Sequence, residues 1–375
     1  MAHVYTPGLK VASNTKVRKE RRLPLKGEVI VTIGTKVTAE TMVARTELPG
    51  DVNPLNIGGL LGVPPEDIEH YLVKHPGDSL TKGEPIAQTK GLFGFMKTTI
   101  NSPIDGTFES LSKITGQAIL RQPPTLVAIN AYIDGIVTEV LENEGVIIDT
   151  VGAFIQGIFG IGGETVGILK KAVANPEDIL TAQNISSADK DKILIAGSYV
   201  TCETMKKAVE CGCKGIIVGG IGDQELKEFL GYDIGVAITG TEKKGLTLVV
   251  TEGFGPMQMA KRTFELLCSF DGRRASINGA TQIRAGVLRP EVIIPLSEDE
   301  KDIKAVKEIE IKGVDIGTRV RIIREPYFGK LGKVKSLPSE LRQIETGTKV
   351  RTFEITLDDG TDAILPRANV EMIEE

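Results

Sequence analysis

The feature that most constrains this chain is an internal repeat in its first half. The segment GTKVTAETMVARTE, beginning at Gly34, aligns without a gap with GDSLTKGEPIAQTK, beginning at Gly77. A second pair follows, because INSPIDGTF from Ile100 aligns with INAYIDGIV from Ile129, and a weaker copy of the first arm begins at Gly145. Self-similarity of this kind decides the architecture before any local assignment. The first half is therefore predicted to use one β-unit more than once.

Turn chemistry supports a β assignment for these arms. Glycine and aspartate stand at Gly77-Asp78 and Asp105-Gly106, where a tight reversal needs residues that tolerate unusual backbone angles. Residues 28–33 alternate as a half-buried strand does. Between the copies, Val63-Pro64-Pro65 followed by two acids predicts the start of a short helix.

These arms, VKHPGDSLTKGEPIA followed by INSPIDGTFESL, resemble the barrel-sandwich hybrid family. That family includes biotinyl and lipoyl carrier domains and the N-terminal part of the NADH:quinone reductase A subunit. The resemblance covers residues 28–170 and implies a barrel-sandwich hybrid β-domain. It also raises the alternative of a scaffold subunit associated with a redox or electron-transfer complex.

The resemblance to carrier domains stops short of the modified lysine. Lys97 stands closer to the Ser102-Pro103 turn than the carrier lysine does, and the tip before it is apolar. We therefore predict no cofactor. An exposed apolar tip is typical of a docking surface, so the predicted protein-partner residues are Leu92, Phe93 and Phe95.

Composition narrows the class of protein. The net charge of -5 gives no global argument for nucleic acid or membrane. Four cysteines, three of them crowded between Cys202 and Cys213, do not form a secreted disulfide framework and indicate reduced thiols in the cytoplasm. The spacing at Cys211 does not suit a closed zinc site, and we predict no metal.

Two segments invite other interpretations. The basic run KVRKERR, from Lys16 to Arg22, is either a phosphate contact or a solvated, loop-like lead-in within residues 1–27. The apolar run from Val146 to Leu169 is interrupted by Asp149 and Glu164, so it is too broken for a spanning helix. A buried β-hairpin is the predicted structure there, with no membrane span.

Residues 192–296 change character. Short apolar runs at 193–196, 215–218 and 236–239 alternate with helical spacing, and this pattern predicts an α/β domain with a short parallel sheet. A helix and linker over 171–191 precede it. Further helices are predicted over 202–209, 224–230 and 256–270, and Asn278-Gly279 predicts a two-residue hairpin.

Ligands of such domains bind at the carboxyl ends of the strands. The glycine-rich stretch GGIGD follows the second apolar run, and it gives a candidate ligand loop of Gly219, Gly220, Gly222 and Asp223. A phosphate-type ligand at a helix N-terminus is one interpretation. Turn glycines in a compact sheet are the other. A small-molecule-sensing α/β protein remains an alternative function on this basis.

The last segment, residues 313–375 after a charged linker over 297–312, has the most specific motif. GTRVRIIREPYFGKLGKV from Gly317 resembles the KOW motif of NusG-type transcription factors and some ribosomal proteins. The resemblance implies an SH3-like β-barrel. Alternation also places Val320 and Ile322 inward and Arg319 and Arg321 outward.

Basic side chains beside aromatic rings suit RNA, with charge for phosphate and rings for stacking. Protein contact and a purely structural role remain open. The predicted nucleic-acid-binding residues are Arg319, Arg321, Arg324, Tyr327, Phe328, Lys330, Lys333 and Lys335.

The sequence thus predicts a multidomain chain that combines α/β and mainly β parts. Its leading function is a non-enzymatic interaction or scaffold protein that contacts RNA, the ribosome or RNA polymerase through the KOW module. We find no nucleophile with a base within sequence reach, so no catalytic residue is predicted.

Overall fold

The computed structural model describes residues 9–89, 97–233, 239–240, 242–282, 288–297, 314–322, 326–338, 341–343 and 349–372. Within this part the chain is mostly β, with several sheets, as the sequence predicted. The described helices are short, and none of them has the length and apolar character that a membrane span requires.

The N-terminal basic segment is a strand and not a loop. Strand β1, Val11–Arg22, pairs antiparallel with a later strand, Gly145–Gln156. Lys16 and Arg18 of β1 both pair with Asp149 of that strand, at 2.7 and 2.9 Å. The loop-like assignment is therefore wrong here, because the pairing partner and its carboxylate lie far away in sequence.

The repeated arms form two small lobes. Their strands, in chain order, are β2 Glu28–Val29, β3 Lys36–Val37, β4 Met42–Leu48, β5 Val52–Asn56, β6 Ser79–Leu80, β7 Pro85–Gln88, β8 Thr99–Asn101, β9 Gly106–Leu111, β10 Gln117–Arg121, β11 Thr125–Asn130 and β12 Gly135–Leu141. In the first lobe β3 pairs with β12 and β4 with β11, and in the second lobe β6 pairs with β9 and β7 with β8. The second lobe, β5 to β10, is inserted between β4 and β11.

Each lobe contains an equivalent hydrogen bond between its two arms. Asp134 accepts from the backbone N–H of Ala39 at 2.7 Å, and Asp105 accepts from that of Lys82 at 2.8 Å. These four residues occupy matching positions in the aligned repeats. The aspartate of each IDG turn thus ties the second arm to the first in both copies.

Buried residues also match between the lobes. Val43-Ala44 and Ile86-Ala87, which align in the repeats, are all fully buried. In the insertion, α1 Ile57–Leu61 and a 3₁₀ helix over Pro65–Tyr71 cover the second core. The short helix predicted near Pro64 is present, in the tighter 3₁₀ form.

The weaker third copy at Gly145 is not an arm, because residues 145–156 form one continuous strand, β13. The arm's turn does recur elsewhere. Asp178 accepts from Asn175 N–H at 2.7 Å, as Asp78 does from His75 N–H at 2.8 Å. The sequence carries a signal for this recurrence, since PGDSLT and PEDILT share their spacing.

One large sheet joins strands from both sides of the predicted boundaries at 170 and 191. Its order is β14-β20-β19-β17-β15-β21-β22-β13-β12-β3, with β1 also on β13. Its remaining strands are β14 Phe159–Ile161, β15 Glu164–Lys171, β16 Ile179–Leu180, β17 Lys192–Ile195, β18 Tyr199–Val200, β19 Gly215–Ile221, β20 Thr247–Phe254, β21 Arg274–Asn278 and β22 Glu291–Pro295. We call residues 145–297 of this sheet and its helices the central unit.

The predicted short parallel sheet is present, because β15, β17, β19 and β20 pair in parallel. Helices α2 Cys202–Glu210 and α3 Asp223–Leu230 agree with the sequence pattern, and α4 Lys261–Ser269 is shorter than predicted. These elements enclose the largest apolar core.

Three local predictions in the central unit are wrong. The predicted helix and linker over 171–191 contain the last residue of β15, the two-residue strand β16 and short 3₁₀ turns, and no α-helix. The run 146–169 forms strands, but β13 pairs with β12, β1 and β22 and β15 with β17 and β21, so they do not make a hairpin. Asn278-Gly279 does not join a tight hairpin, since β21 pairs with β22 across a longer connection.

The C-terminal unit, residues 314–372, has its own sheet and core. Val320 and Ile322 face inward and are fully buried, as alternation predicted. Its strands are β23 Arg319–Ile322, β24 Leu331–Ser336, β25 Leu341–Gln343, β26 Lys349–Leu357, β27 Asp362–Pro366 and β28 Val370–Met372.

Candidate functional site

The outward face of β23 and β24 carries the basic residues that the sequence selected. Val320 and Val334 point into the core of the C-terminal unit, so Arg319, Arg321 and Lys333 point away from it. Arg319 stands directly opposite Lys333 in the antiparallel pairing. We divide this face into an exposed half, with Arg319 and Lys333, and a covered half, with Arg321.

Most cations of the exposed half have acidic partners. Arg319 pairs with Asp358 at 3.0 Å and Lys330 with Asp359 at 2.9 Å. Lys335 pairs with Asp362. The surface is therefore a mixed lattice of charges and not the purely basic patch that the local sequence suggested.

The pKa of Asp359 shows the effect of these neighbouring charges. The Lys330 ammonium, together with hydrogen bonds from Thr361, lowers the pKa of Asp359 to about 2. Asp359 lies at the surface, where such pairs contribute little to stability. A competing anion can therefore replace the carboxylate of such a surface pair at a low cost in free energy.

Lys333 differs from its neighbours. It is exposed, and within the described residues no ion pair involves its ammonium group. Like charges directly across an antiparallel pair repel each other. Asp358 offsets the charge of Arg319, and an anion beside Lys333 would offset the positive charge that remains.

The two aromatic residues of the motif have different surroundings. Tyr327 packs against the core of the C-terminal unit, and the Lys330 ammonium lies 5.6 Å from the centroid of its ring. Phe328 instead contacts the central unit, with its ring centroid 5.9 Å from that of Phe254. The motif predicted the same role for both residues, but in the structure they contact different units.

Arg321 is buried between the C-terminal unit and the central unit. Its side chain is 3% exposed, and its guanidinium lies 2.7 Å from Glu252 of β20. The same group donates to the Thr251 carbonyl at 3.1 Å. Arg321 points away from the core of its own unit, as alternation predicted, but it is not exposed, because β20 covers this end of β23.

A second ion pair joins the same two units, but here the C-terminal unit provides the anion and the central unit the cation. Glu371 of β28 pairs with Arg289 of the central unit at 2.7 Å, and it also stands opposite Arg321 in the strand pairing, 3.7 Å from its guanidinium. Each unit thus contributes one positive and one negative charge. We call Glu252, Arg289, Arg321 and Glu371 the crossed quartet.

The quartet leaves one polar atom without a partner. The Nε of Arg321 is buried, and no acceptor among the described residues forms a hydrogen bond with it. A buried donor without an acceptor costs about 1–3 kcal/mol. The contact between the units is therefore weakened by the free-energy cost of this unsatisfied donor.

Sequence reasoning did not connect Arg321 with the other three members of the quartet. Glu252 lies in an apolar strand, and Arg289 and Glu371 lie near strand ends, so no local motif marks them. A charged residue inside the apolar run of β20 was the only available signal. A buried strand carries such a charge at a high cost unless that charge is paired.

The candidate ligand loop has a different structure from the one predicted. Gly219 and Gly220 lie inside β19 and are buried. A Cβ at either position would meet a carbonyl oxygen, of Met257 or Gly255, at 2.1 Å. Glycine is required here because the segment after β20 crosses the strand in close contact.

The remaining two residues of that set begin α3. Gly222 is the N-cap and Asp223 the first helical residue. A Cβ on Gly222 would lie 2.3 Å from the Tyr199 hydroxyl, so the cap is covered by that side chain. At the neighbouring α2, Glu225 accepts from the Cys202 N–H at 2.5 Å. The chain's own carboxylate thus occupies the start of α2.

The cysteines are free thiols. Burial raises the pKa of Cys213 to about 11, so this thiol stays protonated at neutral pH. In the described residues, no group of three or more histidine, cysteine or acidic side chains is arranged to hold a metal ion.

Several predicted residues lie outside the described residues: Arg324 and the apolar tip residues Leu92, Phe93 and Phe95. No family model matches the chain, and no curated protein matches its sequence.

Proposed function

We propose that this chain is a non-enzymatic cytoplasmic interaction protein that contacts RNA, free or within the ribosome or RNA polymerase, through its C-terminal unit. In this proposal the C-terminal unit is a KOW-type SH3-like barrel and the two lobes are of the barrel-sandwich hybrid type. The KOW-like sequence from Gly317 and the matched IDG turns of the lobes support these assignments.

The observation that carries the proposal is the pairing of Arg319 with Lys333. Two cations directly across an exposed sheet cost stability unless an anion lies between them. Asp358 partners Arg319, and Lys333 has no acidic partner among the described residues. A phosphate group has the charge and the oxygens to bridge the two side chains.

The neighbouring ion pairs do not prevent this binding. The pairs Lys330–Asp359 and Lys335–Asp362 lie at the surface. Exposed pairs of this kind contribute little to stability, so exchange of a carboxylate for a phosphate costs little. Tyr327, whose ring lies beside the Lys330 ammonium, stands at the border of the same surface.

Binding of a fluorescent single-stranded RNA tests the proposal, measured by anisotropy at about 50 and 200 mM salt. We expect wild-type protein to bind and to weaken as salt rises. The variant Arg319→Gln/Lys333→Gln loses two phosphate contacts. The negative slope of log K against log salt should therefore become shallower by about 1.4.

The matched control is Lys243→Gln/Lys244→Gln, which removes the same charge from an exposed site before β20. Its slope should equal that of the wild type. Absence of RNA binding at both salt concentrations would overturn the proposal, and so would equal losses in the two double variants. Retained binding to a protein partner without RNA would favour protein contact instead.

A further inference from the structure

The covered half of the C-terminal unit contains two of the residue types that suit a nucleic acid. Arg321 offers a guanidinium and Phe328 an aromatic ring, and both are engaged by β20 of the central unit, through Glu252 and Phe254. A nucleic acid cannot reach Arg321 in this arrangement, since its side chain is 3% exposed.

We propose that the C-terminal unit docks reversibly on the central unit, and that undocking exposes Arg321 and Phe328 as a second part of the RNA-binding surface. This inference rests on the proposed function and extends it. The docked arrangement is then autoinhibited: the exposed half binds RNA weakly, and the covered half adds its contacts after release.

The crossed quartet makes release feasible. Each unit carries one cation and one anion of the quartet, so neither unit gains net charge from these residues on separation. Arg321 and Glu371 belong to the same unit and already lie 3.7 Å apart. After undocking, Arg321 therefore keeps a carboxylate neighbour until a phosphate replaces it.

The unpartnered Nε of Arg321 favours the open arrangement. This donor is unsatisfied when docked. In the open arrangement water or a phosphate oxygen can accept from it. Docking thus costs the free energy of one unsatisfied donor, and undocking removes this cost. The cost reduces the free-energy difference between the docked and the open arrangement.

The docked contact is nevertheless specific. A Cβ on Gly253 would lie 3.0 Å from the Gly329 carbonyl oxygen, and a Cβ on Gly329 would lie 3.0 Å from the Phe254 ring. Both glycines have positive φ, 157° and 80°. The two backbones approach closely at a defined place, as a built docking site requires.

Phe328→Trp provides the probe, because the chain contains no other tryptophan. Its emission and its quenching by iodide report whether position 328 is packed on Phe254. In this background Glu252→Gln removes the anionic partner of Arg321 from the central unit. We expect iodide quenching to rise about threefold and the emission to shift to the red, because breaking a buried pair strongly weakens a contact.

Glu164→Gln is the matched control. It breaks the ion pair between Arg21 of β1 and Glu164 of β15, whose atoms lie 2.6 Å apart and which includes no residue of the crossed quartet. Quenching should stay at the parent value. Arg289→Gln is a second opening variant that leaves Glu252 and Arg321 unchanged, and it should act in the same direction as Glu252→Gln. Unchanged quenching in both opening variants would overturn the inference.

RNA affinity separates this inference from the proposed function. If the covered half binds RNA, the opening variants should bind the same single-stranded RNA at least about threefold more tightly than the parent, because a larger fraction is competent. Opening without tighter binding, while Arg319→Gln/Lys333→Gln still weakens binding, would refute the inference and leave the proposed function standing. Absence of RNA binding in parent and opened proteins alike would refute the proposed function, and with it the RNA-binding role of the covered half.

Discussion

Arg319 and Arg321 lie two residues apart on one strand, point to the same side of it, and have opposite environments. Arg319 is one-third exposed and pairs with Asp358 of its own unit. Arg321 is enclosed by Glu252, the Thr251 carbonyl and Glu371. The comparison teaches that alternation fixes which way a side chain points from its sheet, and that a second unit decides whether that direction leads to water.

The largest difference between the two halves should appear on truncation. Arg321→Ala leaves Glu252 buried without its cation, whereas Glu371 keeps Arg289, so the variant should cost about 3–5 kcal/mol. Arg319→Ala breaks only a surface pair and should cost at most about 1 kcal/mol. Urea unfolding midpoints of the two variants measure the difference.

A control separates charge from packing at the covered half. Glu252→Met/Arg321→Met replaces the crossing pair by apolar side chains, and it should recover most of the stability lost in Arg321→Ala. Equal costs for Arg319→Ala and Arg321→Ala would contradict the division of the face into two halves.

An intermediate effect is expected for the aromatic contact. Phe328→Leu keeps apolar volume but removes the ring pair with Phe254, which should cost about 1 kcal/mol. Lys333→Ala, in the exposed half, should change stability by less than about 0.5 kcal/mol. Thermal unfolding of both variants provides the test, and a larger loss for Lys333→Ala would reverse the comparison.

The smallest effect is the response of the exposed half to acid. The pKa of Asp359 is lowered to about 2, first by Lys330 and then by Thr361. Because this folded-state pKa lies below the ordinary value of about 3.9, the stabilisation is complete above about pH 4 and is lost as the pH falls toward about 2.

Asp359→Asn lacks this titrating group. Its unfolding midpoint should lie slightly below that of the wild type at pH 5, and the two midpoints should converge between about pH 4 and pH 2. A constant difference across this range would show that the Lys330–Asp359 pair contributes nothing to the acid response.

Much of the fold was predictable because repeats and alternation act locally. The aligned residues Val43-Ala44 and Ile86-Ala87 are all buried, and the aligned aspartates Asp105 and Asp134 make the same hydrogen bond. Val320 and Ile322 point inward as their alternation predicted. Such features depend on a few neighbouring residues and their turns.

The errors arose where distant strands decided the outcome. The basic segment Lys16–Arg22 became a strand because β13 supplies both its backbone partners and Asp149. Gly219 and Gly220 are needed because another backbone segment packs closely against them, and they do not form a loop. No local pattern contains the residue that arrives from elsewhere in the chain.

The sequence by itself determined the duplicated lobes, the parallel strands of the central unit and the inward face of the C-terminal unit, because period and turn chemistry are properties of short segments. Only the tertiary structure decided that Arg321 and Phe328 lie against the central unit while Arg319 and Lys333 face solvent. The physical reason is that burial depends on which surface covers a side chain, and here β20, far away in sequence, provides Glu252 and Phe254.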